Sequence, residues 1–220
     1  MIDYKKHGNI HLLTMSDGPN MICADWHSRM FEILDIIEAD CGKGAAMVLT
    51  GQDKFFCNGL NLEKLGSMDR AGWTAFAANM SEIHRRMIIL PCPTVAAVNG
   101  HAFAGGAFVA LSCDYRIMRE DKGWICISEV DVGVPFGESM MGILRHKLPA
   151  ATARDAILTG RRYTGPEAVA AGFADATASE EKLLEDALGL AAKLATKEPG
   201  IFKTLKQNYF APIADGLASA

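Results

Sequence analysis

Apolar residues along this chain switch between two spacings, and the switching lays out its elements. Compact apolar runs bounded by turn residues predict buried strands at Ile2–Tyr4, Ile10–Met15, Ala45–Thr50, Thr94–Val98, Tyr115–Met118 and Trp124–Ile127. The first two flank His7-Gly8-Asn9 as a hairpin, Asp17-Gly18-Pro19-Asn20 is turn chemistry, and Arg119–Gly123 is a charged turn. Elsewhere the spacing lengthens. Met30, Ile33, Leu34 and Ile37 recur at helical intervals after Asp25, a candidate N-cap. Trp73, Phe76, Met80, Ile83 and Met87 form one stripe on a helix begun by Asp69 and ended before Pro91, a stripe that reads as core and leaves a second, mixed role open. From Ser139 the pattern predicts helices alone: Met140–Lys147, Ala150–Leu158, Pro166–Ala171, Glu180–Thr196 and Ile201–Tyr209. Strand–helix–strand order points to a layered α/β fold. The change near 138 divides one continuous domain into a core, 1–138, and a helical C-terminal region, 139–220.

The stretch Pro91–Asp114 organises the rest. Thr94–Val98 closes at Asn99-Gly100, His101–Ala104 makes a connection, and Gly105-Gly106 open a helix through Phe108, Val109 and Leu111. A glycine pair admits a close neighbour because no Cβ intervenes. The first amides of a helix lack intrahelical partners and sit at the positive end of its dipole, which suits an oxyanion. A tight turn needing glycine only for packing would read the same. Val48–Leu62 repeats the order of strand, turn and glycine before a helical stretch.

Composition narrows the classes. At 220 residues, one domain with a sizeable core is expected, and 50% hydrophobic with 22% charged residues is ordinary for a globular chain. A net charge of −4 argues against a nucleic-acid surface, though a local basic patch can still meet a phosphorylated ligand. Cys23, Cys41, Cys57, Cys92, Cys113 and Cys126 show no C-x-x-C pair and several lie in apolar runs, so buried thiols are expected rather than disulfides. The N-terminus lacks a signal-peptide layout, no run reaches transmembrane length, and the terminal LASA is no peroxisomal tripeptide. The expectation is a cytoplasmic protein with neither membrane nor nucleic acid as partner.

LTG…FFCNGLNL at 49–62, PTVAAVNGHAFAGGAFVALSCDYRI at 93–117, SEVDVGVP at 128–135 and ILTGRRYTGPEAVAAGFAD at 157–175 together resemble the crotonase, or enoyl-CoA hydratase/isomerase, superfamily. The resemblance covers nearly the whole chain. It implies a spiral of β-β-α units, trimers or hexamers built through the C-terminal helices, and an acyl-CoA thioester as ligand. It implies no metal and no redox cofactor, coenzyme A being part of the substrate. Two backbone amides, of Leu60 and Gly105, would hold the thioester oxygen as it becomes an enolate, with Asn58, Gly59, Asn61, Gly106 and Phe108 around the substrate. Asn61 stands where the family commonly has an acid.

Hydratases of this family use two glutamates, one to activate water and one to deliver a proton. Phe108 occupies the first of those positions and Glu129 the second. One carboxylate can lift a proton from C2 and return it to C4, which implies a 3-enoyl-CoA isomerase. Taken alone, Glu129 reads as a surface carboxylate at a strand end; the flanking motif gives it the role of base. Glu138, after Val134-Pro135-Phe136-Gly137, is the rival, and the two can share the site. A hydratase or other enolate chemistry is the enzymatic alternative, and a thioester binder with low turnover the non-enzymatic one. His101 reads as turn filler, Cys57 as a small buried thiol and Lys54 as a solvated lysine. His27 and His84 have no partners at ligand spacing. The glycines at 100, 105 and 106 match neither a dinucleotide fingerprint nor a phosphate loop.

Overall fold

In the computed structural model, which describes residues 1–219, β1 (Ile2–His7) and β2 (Ile10–Met15) form the expected hairpin. α1 (Ala24–Asp40) follows, and β2 then pairs in parallel with β3 (Ala46–Thr50). β3 continues into a short strand, β4 (Phe55–Cys57), and the helices α2 (Leu62–Leu65) and α3 (Arg70–Ile89). The pattern recurs as β5 (Thr94–Val98), β6 (His101–Phe103) and α4 (Gly105–Leu111). It recurs again as β7 (Tyr115–Arg119), β8 (Ile125–Cys126) and α5 (Glu129–Val132). β3, β5 and β7 lie side by side in one sheet, and β4, β6 and β8 pair in parallel in a second. Three strand–strand–helix turns stacked in this way are a β-β-α spiral.

The large sheet is covered on both faces. Leu13, Met47, Leu49, Ala96 and Val98 point into the main core, while Ala46, Val48, Val95 and Ala97 face the other way. That second face is closed by α9 (Glu180–Ala195), which lays Leu183, Ala187, Ala191 and Ala195 along it. A strand buried on both sides has no polar face, which is why these segments read as unbroken apolar runs.

The remaining helices are α6 (Glu138–Lys147), α7 (Ala150–Thr159), α8 (Gly165–Ala171) and α10 (Pro199–Ala218). Helices alone after 138 is a reading the structure corrects, because β9 (Ala176–Ala178) pairs with β7 and completes the sheet order β1-β2-β3-β5-β7-β9. Three residues are too few to show a period; pairing makes them a strand. The expected connection at His101–Ala104 is likewise largely strand, as β6. α1 is entered through Cys23, with Asp25 in its first turn instead of at its N-cap. The last helix runs far beyond Ile201–Tyr209. Glu198 caps it by accepting from the Gly200 and Ile201 amides, and it passes Pro212 without ending. Packing against α3 and α6 offsets the missing backbone bond, and buried Lys206 pins it, donating to Asp114 Oδ2 (2.7 Å) and Cys92 O (3.0 Å).

Candidate active site

Two turns meet where the spiral's first and second units touch. In the first, Gly59 has φ +80°, a conformation that penalises a side chain. The segment Pro19–Ile22 fastens this turn: Asn58 N donates to Pro19 O (3.0 Å), Ile22 N to Gly59 O (2.8 Å) and Asn61 N to Ile22 O (2.9 Å). The Asn61 side chain is engaged locally, accepting from Lys64 N (3.0 Å) to cap α2. In the second turn Ala104 sits at φ +49°, ψ −121°, strain of about 1–3 kcal/mol for a residue with a Cβ. Two bonds hold it there: Ala104 N donates to Cys126 O (2.9 Å), and Ala107 N donates to Ala104 O (2.9 Å). The result is a sharp strand-to-helix corner that leaves the Gly105 amide at the head of α4.

The corners are in contact. A Cβ placed on Gly59 would lie 3.4 Å from Gly105 N, and one on Gly106 would lie 2.1 Å from Cys57 O. Only glycine at 106 lets α4 approach β4 this closely. Among the described residues, neither the Leu60 nor the Gly105 amide donates a hydrogen bond. Both residues line a cavity of about 1270 Å³. Asn58, Asn61 and Phe108 line it too, whereas Gly59 and Gly106, expected to touch ligand, lie behind the wall and set its shape.

The α3 stripe divides in two. Trp73, Phe76 and Met80 line the cavity, and Ile83 and Met87 belong to the core alone. Gly216 and Ser219 line it from the C-terminal helix and the residue after it. Phe108 is 1% exposed and packs edge-on against Phe136 (ring centroids 5.3 Å) and buried His84 (6.4 Å). His84 Nδ1 lies 2.7 Å from Ser112 Oγ, whose proton goes to Phe108 O (2.9 Å). The imidazole therefore donates through Nδ1 and leaves Nε2 bare and buried, and burial pulls its pKa down to about 3.

Four carboxylates line the cavity, and two were singled out from sequence. Glu129 opens α5; as a residue it is half-buried, but its Oε2 is shut off from solvent with no hydrogen-bond partner. Desolvation pushes its pKa up to about 7, opposed by a hydrogen bond from its own backbone amide. Glu138, at the start of α6, has a side chain 78% exposed and paired with Arg145. The environments differ sharply: one carboxyl has an oxygen that is dry and unpartnered, the other carboxyl is wet and ion-paired.

Other candidates fall outside this chemistry. Cys57 is fully buried and its thiol is pushed up to about 12, and all six cysteines are buried and free. His101 lies in β6 among Phe55, Phe103 and Trp124, with ring centroids 4.9–5.5 Å away. Lys54 stacks over Phe55. Sequence reasoning missed Met140 and Arg162 as lining residues and Phe136 as the partner of Phe108. Each comes from a loop or a far helix, where no period marks it.

A spiral α/β domain with one apolar cavity at the corner of two strand–glycine–helix turns defines the crotonase class of fold. The chain belongs to the enoyl-CoA hydratase/isomerase family, whose sequence profile matches residues 5–220. It is 32% identical over 209 residues to enoyl-CoA delta isomerase 2, peroxisomal, from Arabidopsis thaliana, covering 90% of this chain and 86% of the relative. It is 33% identical over 207 residues to a putative enoyl-CoA hydratase from Thermus thermophilus, covering 92% and 80%. In structure it is similar to an enoyl-CoA hydratase/isomerase family protein from Pseudomonas syringae, with a TM-score of 0.93, 29% identity, and 100% and 94% of the two chains covered.

Proposed function

We propose that this chain is an enoyl-CoA delta isomerase, converting a 3-enoyl-CoA to the trans-2-enoyl-CoA. Glu129 takes a proton from C2, and the electrons move into the thioester carbonyl. The oxygen, now negative, lies between the Leu60 and Gly105 amides, each such donor contributing about 2.7–4 kcal/mol. The carboxylic acid then returns the proton at C4. The double bond moves, one proton goes out and back, and no oxidation state changes overall.

The observation that carries this reading is Glu129 itself: a desolvated carboxyl on the cavity wall whose Oε2 has no partner, its pKa raised to about 7, near the neutral value that a group taking and returning a proton needs. Glu138 is placed less well for that role, since its side chain is 78% exposed and engaged by Arg145. Phe108 supports isomerisation over hydration, because a buried ring fills the place of a second acid. The test is a direct rate comparison on purified protein. Isomerisation of a 3-enoyl-CoA should exceed hydration of crotonyl-CoA; the reverse order would refute the assignment. Phe108→Glu should add measurable hydration of a 2-enoyl-CoA.

Assembly as a trimer or hexamer belongs to the same proposal. Ile201, Leu205 and Tyr209 make an i, i+4, i+8 stripe on α10, each more than 60% exposed. Light scattering should give three or six times the subunit mass, and a monomer at micromolar concentration would count against it.

A further inference from the structure

We propose that Arg162 forms an anion-binding subsite at the rim of the cavity, holding a negatively charged group of the thioester ligand. The proposal rests on the reading of this cavity as an acyl-thioester site. Among the residues lining it, Glu63, Glu129, Asp131 and Glu138 are acidic and Arg162 alone is basic. Such a lining repels an anionic ligand unless a cation compensates.

Arg162 is free to do so. Its neighbour Arg161 is engaged with Glu167 (3.1 Å) and Asp155 (3.9 Å). Arg162 makes no ion pair or hydrogen bond to any described residue. Its guanidinium instead lies 5.6 Å from the Phe103 ring centroid and 5.5 Å from that of Trp124. Stacking of this kind orients the guanidinium and leaves its N–H donors open. Phe103 stands two residues before Gly105, so the cation is anchored on the corner that carries the free amide. Asp131 lies on the same rim, and the Cys126 thiol feels Arg162, Asp131 and Glu129 together. No ion pair joins Asp131 to Arg162.

A planar guanidinium matches a carboxylate or a phosphate in two-pronged fashion. The anion has two sources: a carboxylate on the acyl group, or the phosphates of coenzyme A. Two ligand pairs separate them. One compares trans-2-hexenoyl-CoA with its analogue bearing a terminal carboxylate; the other compares trans-2-hexenoyl-CoA with the pantetheine thioester lacking all phosphates. Dissociation constants are measured calorimetrically for the native protein, Arg162→Met and Arg162→Lys. Methionine keeps the apolar stem against Phe103 and Trp124, and lysine keeps the charge without the fork.

In Arg162→Met, the native preference for the charged member of one pair should fall by about 10- to 100-fold, as expected for one charge-assisted hydrogen bond. Arg162→Lys should retain part of it. A change confined to the first pair identifies an acyl carboxylate, and one confined to the second identifies the phosphates. If both ratios stay within twofold of native in both variants, Arg162 is a solvated surface cation and the proposal is overturned. Titration reads binding, so this result stands apart from the turnover comparison that tests the isomerase reading.

Discussion

Glu129→Gln is expected to lower isomerase turnover by about 10²–10⁴-fold while leaving thioester binding within a few-fold of native. The amide keeps the shape of the side chain and removes the carboxyl proposed to take and return the proton. In the native protein kcat/KM should rise with pH and level off above about 7, because the base must be ionised to act. Glu138→Gln should change little, since that carboxylate is exposed and paired with Arg145. Loss of turnover in Glu138→Gln with near-native Glu129→Gln would make Glu138 the base. The same carboxyl also sets a stability trade. Its folded pKa is raised from 4.5 to about 7, so ionisation opposes folding progressively as pH climbs through that window. Glutamine escapes this, and the thermal midpoint of Glu129→Gln should exceed that of the native protein at pH 8 but not at pH 4.

Gly106→Ala is expected to cost both activity and stability, for a reason confined to the backbone. The new Cβ would fall 2.1 Å from Cys57 O and 2.7 Å from Cys57 C, so α4 and β4 must separate. Overpacking of this kind costs about 1–3 kcal/mol, which lowers the melting temperature by roughly 2–4 °C for each kcal/mol in a chain of this size. On the proposed mechanism, moving one of the two amides should lower turnover by about 10²–10³-fold. Gly105→Ala is the contrast. Its Cβ would meet the flexible end of Ile22 at 3.3 Å, so the melting temperature should barely move. Native turnover in Gly106→Ala would mean that the α4–β4 contact does not set the amide positions.

Much of this architecture was written in local pattern. Strands buried on both faces have no polar face, so β3 and β5 stood out as apolar runs broken only by a terminal threonine, and the α3 stripe marked a helix with one dry face. Gly59 and Gly106 were legible because a positive φ and a 2.1 Å approach exclude other residues. Phe108 in place of an acid was equally plain. Other features had no local signature. β9 is a strand only because β7 pairs with it, and α10 crosses Pro212 because tertiary contacts offset the lost bond. The flanking motif favoured Glu129 over Glu138 as base, but the surroundings of neither carboxylate were legible. Only the fold gave one a dry, unpartnered oxygen and the other an arginine, and only the fold carried Arg162 to the ring of Phe103. A period records an environment that neighbouring residues share. Desolvation and charge at a site are sums over residues far apart in the chain, and those distances exist only once it has folded.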